Sequence, residues 1–166
     1  MAKMAESMKL QVPNPAPLPP LPQAVLALVD EFRDGLSSIL GDDLVSLFLY
    51  GSLAFPRPAT WAIDVDYHIV IKKPLTENVH AALDALYAAL PQHHRLAEQL
   101  DGYWITLDEA RSVRPSFSQR ASAIGGPFDD AWALLRAHVH AGRFFLVAGT
   151  DPREFLPVST KEQIKE

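Results

Sequence analysis

Apolar and polar positions divide this chain into segments of different period, and the periods predict the elements. From Gln23 to Leu40 the apolar residues Val25, Leu26, Leu28, Val29, Phe32, Leu36, Ile39 and Leu40 recur at helical spacing, with Asp30, Glu31, Arg33 and Asp34 largely opposite. This predicts an amphipathic helix, with Gly41 as its stop. Leu44 to Tyr50 is almost continuously apolar and reads as a buried strand. Residues 51–62 show little periodicity and read as an irregular loop. Ile63 to Ile71 alternates and predicts a second strand. Along it Ile63, Val65, Tyr67, Ile69 and Ile71 share a face turned to the core. Asp64, Asp66 and His68 share the other face, expected to be open, so that His68 is placed to touch a ligand.

Further along, Val79, Ala82, Leu83, Leu86 and Leu90 form the apolar stripe of a helix over Thr76 to Leu90, ended by Pro91. Leu100 to Leu107 predicts a third strand. Residues 108–126, polar and closing on Gly125-Gly126, read as loop or short irregular helix. Pro127 to Ala141 predicts a final helix, and Phe144 to Val147 a short apolar segment. The sum is an α+β fold, with about three strands in one sheet and helices covering a face. Six prolines between Pro13 and Pro22 mark residues 1–22 as a flexible, extended tail. A single domain is expected over residues 23–158, with a polar tail over 159–166.

Composition narrows the function classes. With 48% hydrophobic and 21% charged residues, the chain of 166 residues can bury a core without disulfides or a structural metal. It has no cysteine, which excludes cysteine-ligated zinc and fits a reducing cytoplasm. The net charge of -5 argues against a broad nucleic-acid surface, which needs clustered Lys and Arg. No apolar run approaches the roughly 18–20 residues that a membrane span requires. A nucleotide remains compatible, since backbone amides, a few cations and metal ions meet it locally.

The residues from Leu44 to Ile71 then form one chemical unit. Gly51, directly after a buried strand, lets the backbone turn sharply and approach a ligand. Ser52 adds a hydroxyl and an N–H suited to phosphate. Asp64 and Asp66 project from the same strand face, and paired carboxylates suit hard divalent cations. Arg57, in the loop between, is a candidate phosphate contact, whereas Arg111, Arg114 and Arg120 read as solvated. Trp61, Tyr103 and Trp104 are candidates to stack on a base, with core packing expected for at least one.

Tyr50-Gly51-Ser52, eleven residues, then Asp64-Val65-Asp66 resembles the signature of the DNA polymerase beta-like nucleotidyltransferase superfamily. Leu100 to Leu107 resembles the third-carboxylate strand of aminoglycoside adenylyltransferases of the streptomycin/spectinomycin type, with Asp101 in the acid's place. Ala131 to Pro157 is similar to the helix and turn that close their catalytic domain. The sequence departs from that pattern in having Ile63 where Ser is usual, Tyr67-His68 where aliphatic residues are usual, and Asp101 where Glu is common. Phe55-Pro56-Arg57-Pro58 also stands where a small Ala-Arg-Gly run is often found.

The resemblance implies a nucleotidyltransferase-like mixed sheet and transfer of AMP from ATP to an acceptor hydroxyl, such as that of an aminoglycoside-like small molecule. It implies that Gly51, Ser52 and Arg57 bind the nucleotide. It implies that Asp64, Asp66 and Asp101 are the catalytic, metal-binding acids, for one or two Mg²⁺ ions serving an in-line displacement. Asp101 either completes the second metal site or takes the acceptor's proton. Those enzymes continue into a C-terminal helical domain that contributes acceptor contacts, and this sequence reaches only Glu166, where that domain begins. The acceptor half is therefore missing, different, or supplied by a homodimer or a separate helical partner. The alternatives are a catalytically degenerate binding module of the same fold and an antitoxin-like partner of a helical toxin.

Overall fold

The computed structural model describes residues 17–56, 63–113, 115, 118–120, 123–126 and 131–165. The predicted loop centre with Arg57 and Trp61, most of the proline-rich lead, and Arg114 lie outside them. Helix α1 spans Gln23–Leu40 and ends at Gly41, whose φ of 53° suits glycine. Strand β1 is Leu44–Tyr50 and β2 is Val65–Ile71. Helix α2 is Glu77–His93, begun by Thr76, whose hydroxyl accepts from the Val79 N–H at 3.3 Å. Strand β3 is Leu100–Thr106, followed at once by the short helix α3, Leu107–Ala110. Strands β4, Ser118–Arg120, and β5, Ala123–Gly126, precede α4, Ala131–His140. Strand β6 is Phe145–Gly149, and α5 is Lys161–Lys165.

These strands make one six-stranded sheet in the order β5-β4-β3-β2-β1-β6. Only β2 and β3 pair parallel, joined by the α2 crossover, so the sheet is mixed. The α+β class and the flanking helices stand as expected, but the sheet is twice as wide. Phe144 to Val147 belongs largely to β6, which pairs with β1, and the polar stretch 118–126 supplies β4 and β5. Pro91 does not end α2. It lies in the last turn, and the helix closes two residues later with the His94 N–H donating to Leu90 O at 2.8 Å.

Both sheet faces carry a core. On one, Val65, Tyr67, Ile69 and Ile71 meet Leu28, Phe32 and Leu36 of α1 and Leu83 and Leu90 of α2. Trp104 is buried there too, so it is a core residue and not a stacking surface. The ring of Tyr67 lies over Gly102, where a Cβ would come within 2.5 Å of it. On the other face, Phe48, Val70 and Ile105 pack beneath Trp132, Leu135 and Val139 of α4. This corrects the expectation of an open face. α4 covers it, and His68 is 2% exposed, its ring stacked against Phe48 at 5.6 Å and Tyr103 at 5.5 Å. What α4 leaves uncovered is the end of the sheet where β1 finishes and β2 and β3 begin.

Candidate active site

Strand register builds the site at that uncovered end. Asp66, second in β2, pairs with Tyr50 at the end of β1 and with Asp101, second in β3. Neighbouring strands lie about 4.8 Å apart, and paired residues share a face. Two carboxylates are thereby set side by side by backbone pairing, not by flexible side chains. Both line one cleft of about 280 Å³, together with Tyr50, Gly51, His68 and Tyr103 from the sheet and Trp132, Leu134, Leu135 and His138 from α4. Asp64 stands before the first residue of β2, exposed, and does not line the cleft. It lies near enough for its charge to act on Asp66.

The turn after β1 is a short 3₁₀ helix, Gly51–Ala54. Gly51 has a φ of 71°, and a Cβ there would come within 2.3 Å of Asp66 Oδ2. Only a residue without a side chain allows the Asp66 carboxylate to sit against the turn. Ser52 follows, half-buried and outside the cleft lining, its carbonyl accepting from the Phe55 N–H at 3.2 Å. The turn is anchored from beneath. Buried Arg143 donates to Ala54 O at 3.2 Å and lies 5.8 Å from the Phe55 ring centre.

Electrostatics mark Asp66 as a strained carboxylate. Burial, then the charges of Asp101 and Asp64, push the Asp66 carboxyl up to about 6. Burial pushes His68 down to about 3, so its imidazole is neutral packing material at the cleft floor. Among the described lining residues there is no Lys or Arg. A divalent cation fits the chemistry of this donor set: hard oxygen donors in register, whose mutual repulsion a positive ion removes. The side chains as they stand form no group of three His, Asp or Glu that could hold a metal among the described residues. Asp66 and Asp101 are thus the pair the fold brings together, and Asp64 would have to turn inward to join them.

Sequence reasoning brought Gly51, Asp66 and Asp101 to one place. It missed the α4 wall. The signal was present: Ala131, Leu134, Leu135 and His138 fall at i, i+3, i+4 and i+7, one helix face with a single imidazole at its end. Tyr103 lines the cleft, whereas Trp104 is buried in the core on the other face of the sheet.

No family model matches this chain, and no curated protein matches it in sequence. Among solved structures it is similar to spectinomycin adenyltransferase AAD(9) from Enterococcus faecialis, a crystal structure with ATP and spectinomycin. The TM-score is 0.61 at 14% sequence identity, over 84% of this chain and 62% of that one. The likeness establishes a nucleotidyltransferase-like fold, and this chain spans less than two thirds of the neighbour's length. No described helix is long and apolar enough to cross a membrane.

Proposed function

We propose that this chain is the nucleotide-handling part of a metal-dependent nucleotidyltransferase, which moves AMP from ATP to an acceptor hydroxyl of a small molecule, aminoglycoside-like in class. The observation that carries the reading is the in-register pair Asp66 and Asp101 on parallel strands, with Gly51 held open for the Asp66 carboxylate. The likeness of fold to an enzyme solved with ATP and spectinomycin supports it.

Asp66 and Asp101 would hold Mg²⁺, with Asp64 as the outer ligand, and the ion would supply the positive charge that a triphosphate needs. Gly51 and Ser52 would present backbone N–H groups to the β- and γ-phosphates. Arg57 is assigned to the same phosphates on its place in the sequence between the two motifs. Tyr103, with Trp132 and Leu134 opposite, gives the cleft an apolar, partly aromatic wall against which a base can lie.

Calorimetric titration of ATP with Mg²⁺ tests the site, on the wild type and on the Asp64→Asn/Asp66→Asn variant. Binding by the wild type and its loss in the variant is expected, and equal binding by both would sink the assignment. A second reading, a fold that binds a nucleotide or protein without catalysing, is favoured by the lack of a ready three-ligand group among the described residues. Pyrophosphate release with candidate acceptors separates the two.

A further inference from the structure

The roles above leave His138 without a task, although it stands in the same cleft. It sits on α4, on the wall facing the end of the sheet that bears Asp66 and Asp101. Its ring meets Phe55 edge-on, with centres 5.1 Å apart and planes at 69°. Phe55 closes the Gly51–Ala54 turn through its N–H to Ser52 O. The imidazole is therefore fixed at the end of the cleft next to the turn assigned to the phosphates.

The groups around it narrow what it can do. Asp66 on β2 and Asp101 on β3 are acids, and Tyr50 on β1 and Tyr103 on β3 are phenols. Arg143, beneath Phe55, is turned to Ala54 O and buried. His68 is sealed between rings. Among the described lining residues His138 is thus the one side chain that is both half-exposed and able to become a cation.

We propose that His138 contacts the phosphate chain of a nucleoside triphosphate in this cleft, as the imidazole donor opposite the carboxylates; the inference rests on the nucleotide reading above. Burial holds the imidazole below its ordinary range, so that at neutral pH the ring is neutral with one N–H. A phosphate beside it favours the charged form and a stronger, charge-assisted bond. The wall of the cleft would then supply a positive charge that the other described lining residues lack.

Imidazole NMR of the wild type, titrated against pH with and without a non-hydrolysable ATP analogue and Mg²⁺, tests this. AMP is the control, because it lacks the β- and γ-phosphates. The His138 midpoint should rise by about one pH unit with the analogue and stay near its free value with AMP. His138→Gln should weaken analogue binding roughly tenfold at pH 6 and less at pH 8, and leave AMP binding as it was. If the analogue binds by calorimetry but the midpoint stays in place, or if AMP moves it equally, the phosphate contact is overturned while the nucleotide site stands. If the analogue does not bind at all, the nucleotide reading falls and this inference with it.

Discussion

Replacing Asp66 by Asn removes a charge that burial and two neighbouring acids disfavour, and it should raise stability while abolishing metal-nucleotide binding. In the folded protein the Asp66 carboxyl titrates at about 6, against an ordinary value of 3.8. The folded state therefore holds its proton more tightly than the unfolded chain between those two values. As pH rises through that window the unfolded state loses its proton first and gains relative to the fold. The penalty is absent below about pH 4 and complete above the folded value. At about 1.4 kcal/mol per pH unit it reaches at most about 3 kcal/mol at neutral pH, reduced by the solvent that still screens this half-buried group. Asparagine avoids it but buries an amide that needs partners, which costs about 1 kcal/mol. The net expectation is a gain of about 1–2 kcal/mol at pH 8, or roughly 3–6 °C in Tm for a domain of this size. Urea unfolding of both proteins at pH 8 and pH 4.5 measures it, with the gain confined to the higher pH. A variant less stable than the wild type at pH 8, or a difference independent of pH, would refute the reasoning that repulsion and burial strain this carboxylate.

Two further predictions follow from the packing. Gly51→Ala places a methyl group against Asp66 Oδ2 at a φ of 71°, so the carboxylate must move away. It should lower stability by about 1–2 kcal/mol and weaken Mg²⁺-ATP binding far more than that loss implies, read by thermal unfolding and calorimetry on one preparation. Tyr87→Phe removes the hydroxyl that bonds Tyr67 at 2.6 Å and receives Trp104 Nε1 at 3.3 Å, leaving two buried polar groups short of that partner. It should cost about 1–3 kcal/mol in urea unfolding without changing nucleotide affinity, since Tyr87 lies on the face of the sheet away from the cleft.

Much of the fold was legible because one signal dominated each element. α1 runs over the expected span because its apolar stripe matches one helix face. β1 was legible because strands buried on both sides are apolar throughout. That same fact argued against an open face beneath α4, where Asp66 and His68 had been placed together. Phe48 and Val70 point to that face and need cover. β4 and β5 were hidden because Ser118-Gln119-Arg120 carries no apolar alternation, and their identity lies in pairing to β3 and to each other. Pro91 misled because a proline in the last turn forfeits one bond without preventing the helix from closing. In the site, Gly51 and Asp66 were readable from motif spacing. The side-by-side placement of Asp66 and Asp101 is a product of parallel register across a crossover helix, which no local pattern encodes.

A bound triphosphate is expected at the Asp66–Asp101 end of the cleft. A crystal structure with a non-hydrolysable ATP analogue and Mg²⁺ tests it most directly. The expected result is a metal ion held by the Asp66 and Asp101 carboxylates, Asp64 turned toward it, and phosphate oxygens against the backbone of Gly51 and Ser52. An analogue bound elsewhere, or one in this cleft with neither carboxylate touching its metal, would contradict it.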